Sequence, residues 1–370
     1  MLWIDRIHRW TGALIGLLLA ALGLTGTLLL YEDAWLRATV LHADQPRVED
    51  IATLGGAAER LLAEAPSAPG GIIFPTDSVG LFKLSFNGGA GAYADQSGAI
   101  VEQWASKWQR PELWLSDFHQ HLLMGELGET VGGSMALIGL GFVITGLILW
   151  WRTRKTFALR LLPARFTRLQ IARHHRDLGV VMAPMLFVSL LTGAMLTLRP
   201  VADFVLAPLS SPGTIAASLA SPTVVGGPLT PAFDWEAAFR TINAAYPDAE
   251  LRSIGLPKRA GELVRIRARQ PAEWLPNGRT VFWFDAATGR LVEKRDAMTL
   301  PLATRAFNLV YPLHVARVGG VVYQVVMTAT GLALTLLGTL AVIGFWRYQI
   351  RQSARSGAPL SHTVPHETAR

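Results

Sequence analysis

The residues best suited to chemistry are histidines that recur in one setting. His8-Arg9-x-x-Gly12 and His175-Arg176-x-x-Gly179 repeat a His-Arg-x-x-Gly pattern at the mouth of an apolar run. Seventeen residues past each histidine comes a Thr-Gly step, Thr25-Gly26 and Thr192-Gly193. Neutral imidazole is a strong haem ligand, and two on facing helices can complete the axial positions of an electron-transferring iron. The chain has no cysteine. That excludes disulfides, thiolate metal sites, cysteine-ligated iron–sulfur clusters and covalent c-type haem attachment.

Apolar stretches must position these residues. Four of them, Thr11 to Tyr31, Gly133 to Trp151, Val180 to Leu198 and Val321 to Trp346, contain no Asp, Glu, Lys or Arg. Each meets the roughly 20 residues needed to cross a hydrocarbon core about 30 Å thick. The first is too long for a signal-peptide core and lacks a small-x-small site before Glu32-Asp33, so it reads as a retained anchor. Between the second and third runs lie Arg152, Arg154, Lys155, Arg160, Arg165, Arg168, Arg173 and Arg176 against a lone Asp177. The positive-inside rule places that loop, and hence both termini, in the cytoplasm. Trp10, Tyr31, Trp150, Trp151, Tyr323 and Trp346 fall where an interfacial belt requires them. The net charge of +7 is thus a topology signal, and no compact basic and aromatic cluster points to a nucleic-acid partner.

The expected plan is a first span in 1–31, an outer domain over 32–118, a second span in 119–151 and a basic loop over 152–173. A third span in 174–198, a second outer domain over 199–313, a fourth span in 314–350 and a polar tail over 351–370 complete it. Within the first outer segment the apolar spacing predicts a helix from Val48 to Glu64, then strands at Gly71 to Phe74, Val79 to Phe86, Ala90 to Ala94 and Ala99 to Trp104. The second repeats the order, with a helix from Asp234 to Ala245 and strands near Leu251 to Ile254, Leu263 to Ala268, Thr280 to Phe284 and Leu291 to Lys294. The last hairpins echo each other: Asp95-Gln96-Ser97-Gly98 leads into Ile100-Val101-Glu102, and Asp285-Ala286-Ala287-Thr288-Gly289 into Leu291-Val292-Glu293. Asp at the start and Gly near the end suit a turn with positive φ.

A helix followed by a small antiparallel sheet ending in such a hairpin resembles the PepSY module, and over roughly residues 1–350 the chain resembles PepSY-associated transmembrane proteins. The motifs that carry this are His8-Arg9-Trp10-Thr11-Gly12, His119-x5-Gly125-Glu126 with Trp150-Trp151-Arg152, His175-Arg176-x-x-Gly179 and Pro312-Leu313-His314. The resemblance implies a membrane α-helical bundle of four transmembrane helices, a duplicated two-helix unit, with two extracytoplasmic α+β PepSY-like domains.

On this topology His8 and His175 lie at cytoplasmic span ends, and His119 and His314 at outer ends. From His8 to Tyr31 is 23 residues, roughly 35 Å of helix at about 1.5 Å per residue, close to the thickness to be crossed. The bis-histidine reading assigns one non-covalent haem b to His8 with His175 and a second to His119 with His314. Arg9 and Arg176 are candidate partners for the propionates. Against it stands the reading of each histidine as an interfacial or capping residue. Zinc would want clustered ligands; the local pairs His119-x-His121 and His174-His175 have no evident third. His119 and His175 match the family pattern, which leaves His121 and His174 as alternates expected on the surface. His42, His362 and His366 are expected to be solvated. The Thr-Gly steps, including Thr145-Gly146 and Thr330-Gly331, read as helix packing first and cofactor accommodation second.

No nucleophile elbow, Walker loop, dinucleotide fingerprint or HExxH helix is present. Electrons would therefore come from a separate donor, a quinol or a cytoplasmic reductase. The family's resemblance to inner-membrane ferric-siderophore reductases implies reduction of a ferric siderophore to release Fe(II) in the periplasm. Trp104, Trp108, Trp114, Trp274 and Trp283, with Arg265, Arg267 and Arg269, offer aromatic and cationic surface for a bulky, oxygen-rich chelate, while at least half of these tryptophans read equally as interface belt and sheet packing. The alternative is a haem-free membrane protein whose PepSY modules bind or regulate a periplasmic protease or transporter.

Overall fold

The computed structural model describes residues 2–65, 69–159, 162, 163, 165, 167–211 and 213–356. His362 and His366 lie outside the described residues. In chain order the first half forms α1 (Leu2–Leu29), α2 (Glu32–Thr39), α3 (Ile51–Glu64), β1 (Gly71–Ile73), β2 (Phe82–Ser85), β3 (Gly91–Ala94), β4 (Ile100–Trp104), α4 (Pro111–His121) and α5 (Glu126–Trp151). The second forms α6 (Arg168–Thr197), α7 (Arg199–Leu206), α8 (Thr214–Leu219), α9 (Trp235–Ala245), β5 (Glu250–Gly255), β6 (Val264–Arg269), β7 (Thr280–Phe284), β8 (Leu291–Arg295), α10 (Leu302–His314) and α11 (Gly320–Ser356).

Four helices, Leu2–Leu29, Glu126–Trp151, Arg168–Thr197 and Gly320–Ile350, are long and apolar enough to cross a membrane. The protein is accordingly a multi-pass membrane protein, and the bilayer is its solvent along these helices. Leu14 and Leu17 on α1, 69% and 62% exposed, are apolar surface that water would not tolerate in such density and lipid does.

The chain divides into two compact units, one of Met1–Leu24, Ile138–Phe187 and Thr330–Arg370, the other of Thr25–Leu137 and Val188–Ala329. The first unit is helical. Its tightest seam joins α1 to α11, where a Cβ added to Gly16 would lie 3.0 Å from the Gly338 carbonyl oxygen and one added to Gly23 would lie 2.8 Å from that of Gly331. Small residues here let two backbones approach, which replaces the hydrophobic driving force that lipid cannot supply. Thr335 Oγ1 donates to the Ala20 carbonyl at 3.2 Å and Trp346 Nε1 to that of Ala13 at 3.1 Å.

The second unit is built on one eight-stranded sheet, in the order β4-β3-β2-β1-β5-β6-β7-β8, antiparallel throughout. Each half contributes a meander that runs outward from the β1–β5 seam, where Ile72 faces Ile254. The helices before the two meanders start alike: Asp50 accepts from the Thr53 amide and Asp234 from the Ala237 amide, capping α3 and α9. A Cβ on Gly55 would lie 2.9 Å from the Glu236 Cβ, so α3 and α9 lie closely side by side. Beneath them one core takes side chains from both halves, including Leu61, Ile72, Phe74 and Phe82 with Phe239, Ile254, Ile266 and Phe282.

The eight strands form where the alternation and turn residues predict, and Gly98 and Gly289 adopt φ of 88° and 69° as the hairpins require. Strand β2 is shorter than the expected Val79 to Phe86, because the Val79 carbonyl closes a turn on Thr76 and the Gly80 amide turns to Ala43. One expectation changes. Residues 32–118 and 199–313 do not form two separate outer domains but share a sheet and a core, since the open edges of β1 and β5 satisfy each other's backbone groups.

Because the core is common, Phe239→Ala is expected to cost about 3–5 kcal/mol. Hydrogen exchange should show β1–β4 and β5–β8 losing protection together; loss confined to β5–β8 would contradict a single core.

Candidate functional site

The four histidines of the sequence patterns come together as two pairs, one within each unit. His8 on α1 and His175 on α6 hold their ring centres 6.2 Å apart, with planes at 87°. His119 at the end of α4 and His314 at the end of α10 also stand 6.2 Å apart, with planes at 38°.

Threonines fix the rings. His8 Nδ1 lies 2.8 Å from Thr145 Oγ1, and that hydroxyl donates its own proton to the Gly141 carbonyl at 2.7 Å. The oxygen must therefore accept from His8, so Nδ1 carries the hydrogen and Nε2 the lone pair. His314 Nδ1 faces Thr192 Oγ1 at 3.0 Å and the Ser189 carbonyl at 3.1 Å, while Thr192 donates to Val188 at 2.7 Å. A carbonyl only accepts, which sets the same tautomer. Burial holds the His314 imidazole below its ordinary range, against the Ser189 hydrogen bond that raises it. His119 Nδ1 lies 3.1 Å from Thr25 Oγ1. His175 Nδ1 is sealed from solvent beside the Leu337 backbone, without a well-formed hydrogen bond.

Glycines make room for the rings. A Cβ on Gly26 would lie 2.8 Å from His119 Cε1, one on Gly193 would lie 3.1 Å from His314 Cε1, and one on Gly146 would lie 3.7 Å from His8 Cε1. Two of the four Thr-Gly steps thus clear space for an imidazole, a third would meet His8 only at ordinary contact distance, and the fourth supplies the Gly331 carbonyl to the α1–α11 seam. The first two are crossed in sequence: Thr25 stands seventeen residues after His8 but serves His119, and Thr192 follows His175 but serves His314.

The sheet aims α4. Arg110, just before α4, binds Glu112 through Nε at 2.8 Å and also binds Glu102 of β4, while Tyr93 of β3 donates to Glu112 at 3.0 Å. Burial first and the Glu112 carboxylate second push the Tyr93 phenol far up, so it stays a donor. Leu122 and Leu123 then take left-handed conformations, with φ of 48° and 61°, and Gly128 abuts the His121 carbonyl where no side chain fits. His119 therefore ends a separate helix and does not begin the second span. His314 likewise ends α10, before Ala316 at φ 52° and the Gly319-Gly320 pair.

The alternates sit elsewhere. His121 lies 3.3 Å from Asp117. His174 is 0% exposed, against the expectation of a surface residue, because α6 begins at Arg168 and carries His174 inward with Asp177, also 0% exposed. Arg9 is exposed beside Asp5 at 3.5 Å. Arg176 is held by Asp177 and by both the hydroxyl and carbonyl of Thr156. His42 is bound by Gln45 at 2.8 Å.

The donor set fits haem. An imidazole nitrogen bonds a metal at about 2.0 Å and lies about 1.1 Å from its own ring centre, so two imidazoles that shared one iron would hold their centres about 6.2 Å apart. Nδ1 donors that free Nε2 are the usual support for such ligands. No group of three or more His, Asp and Glu side chains suited to a metal ion occurs among the described residues.

The chain belongs to the PepSY-associated TM region family, whose model matches residues 6–348. No curated protein sequence matches it.

The Thr145 contact has a testable cost. Thr145→Val leaves the His8 Nδ1 donor unpaired and is expected to destabilise the helical unit by about 1–3 kcal/mol, whereas Thr145→Ser retains the acceptor. Equal melting temperatures for the two variants in detergent would show that the hydrogen bond is not needed.

Proposed function

We propose that the protein is a b-type haem oxidoreductase of a bacterial inner membrane that passes electrons across the bilayer to an extracytoplasmic ferric siderophore, releasing Fe(II). The observation that carries this reading is the spacing of 6.2 Å between ring centres in both histidine pairs. His8 and His175 would hold one haem b, and His119 and His314 the other. A haem ligated in this way supplies reversible one-electron exchange. Thr145 and Thr192 keep Nδ1 protonated and Nε2 available at His8 and His314, and Gly26 and Gly193 leave the space that His119 and His314 occupy.

The basic loop between α5 and α6 faces the cytoplasm on this reading, by the positive-inside rule. The two helix-plus-meander segments are then PepSY-like modules on the periplasmic side, joined edge to edge. The electron donor is a quinol or a cytoplasmic reductase, because the chain has no nicotinamide or flavin fingerprint of its own. The ferric chelate as acceptor rests on the family resemblance to siderophore reductases and on the cationic outer surface.

Full-length protein reduced with dithionite in nanodiscs should be reoxidised on adding a ferric siderophore, with Fe(II) appearing in a ferrozine trap. His314→Ala should slow that reoxidation at least about tenfold, since an axial ligand sets the behaviour of the iron. No reoxidation by any ferric chelate would remove the proposed acceptor.

A further inference from the structure

On strand β6 the pleat sends Val264, Ile266 and Ala268 into the common core and Arg265, Arg267 and Arg269 to the opposite face. Register places Arg265 beside Trp283 and Arg267 beside Val281 on β7, and Val281 in turn beside Arg295 on β8. Helix α8 and Leu300 cover this face. Between them lies a cavity partly open to solvent, lined by Arg265, Arg267, Arg279, Arg295, Trp283 and Ser218 among others.

The charge in this cavity is unbalanced. Arg295 is bound to Glu293 at 2.6 Å and to the carbonyls of Ser218 and Ala220, and its guanidinium lies over Trp283 at 4.7 Å. Arg279 Nε donates to Asn308 at 3.1 Å, a neutral partner. Neither Arg265, Arg267 nor Arg279 has a carboxylate within ion-pair distance among the described residues. Arg267 Nε is buried with no hydrogen-bond acceptor. Burial first, then Arg265 and Arg279, pulls the Arg267 guanidinium down to about 10. Such clustering is costly unless an anion compensates it.

The duplicated first half shows the balanced version of the same face. There Lys83 and Arg110 lie over Tyr93, and Arg110 is neutralised by Glu102 and Glu112. The second half sets Arg265 beside Trp283 as the first sets Lys83 beside Tyr93, but the carboxylate that acts on Arg279, Glu273, accepts from the Gln270 and Arg279 amides and the Thr280 hydroxyl and makes no ion pair with the Arg279 side chain. Guanidinium groups grip oxyanions through paired N–H donors, so converging forks select carboxylate or phosphate oxygens over neutral ligands.

We propose that this cavity is an oxyanion site that receives a carboxylate group of the iron chelate, so that the acceptor is a net-negative carboxylate chelate of Fe(III). The identity of the bound anion as a chelate rests on the reading under Proposed function; the site itself does not. Arg267 and Arg279 supply the grip, and Trp283 forms the wall of the cavity.

The test is isothermal titration of the full-length protein in nanodiscs with gallium(III) citrate, a redox-silent probe, and separately with inorganic phosphate and a cationic gallium hydroxamate chelate. Gallium citrate should bind saturably and displace phosphate, and Arg267→Gln and Arg279→Gln should each weaken it at least about tenfold. The hydroxamate chelate should not compete. If the variants fail to fold, the wild-type titrations decide. Absence of both gallium citrate and phosphate binding, or unchanged affinity in both folded variants, overturns the site; phosphate binding that gallium citrate cannot displace overturns the chelate as its ligand. Gallium citrate binding to a colourless, haem-free chain would keep the site and defeat the electron-transfer reading. Reoxidation of reduced protein by ferric chelates when neither gallium citrate nor phosphate binds would do the reverse.

Discussion

An imidazole set among apolar helices needs a partner for its N–H, and the choice of that partner decides which nitrogen is free to act. Here threonine hydroxyls whose own protons are committed to helix carbonyls, with a backbone carbonyl at His314, hold Nδ1–H on His8 and His314. The remaining nitrogen keeps its lone pair, on rings that are half-buried. Two rings stand within 6.2 Å of each other in each unit, the spacing on which the haem proposal rests. Much of the remaining architecture serves to hold these rings still.

The duplication supplies the means. A single two-helix unit cannot complete either histidine pair, because the partners of His8 and His119 are His175 and His314 from the second half. The shared sheet makes the same point in β structure: each meander leaves an open edge at β1 or β5, and joining the copies closes it. The Arg110–Glu112–Tyr93 cluster carries the rigidity of that sheet into α4, and hence to His119. Paired left-handed residues at Leu122 and Leu123 then release the chain into α5 without extending the helix that ends near His119.

Much of this was legible in the residues. Period-two alternation placed the strands, helical spacing placed α3 and α9, though α3 starts after the Asp50 cap and not at Val48, and Asp-to-Gly spacing announced two hairpins with positive φ. The apolar runs located all four spans. The β1–β5 seam was not legible, because β1 is three residues long and edge pairing depends on tertiary proximity that no local pattern encodes. Nor was the burial of His174, since a helix that begins within a basic loop carries polar residues inward before its apolar run starts. The Thr-Gly steps were visible as a repeat, yet their partners lie 94 and 122 residues away, so small-residue packing was the natural local reading.

The central claim is that each imidazole pair holds one haem, and counting haem tests it most directly. A pyridine haemochrome assay on detergent-purified, full-length protein from haem-replete cells should give two b-type haems per chain, and one after His175→Ala in a protein that remains folded. A folded, colourless preparation, or an unchanged haem count in the folded variant, would contradict the account.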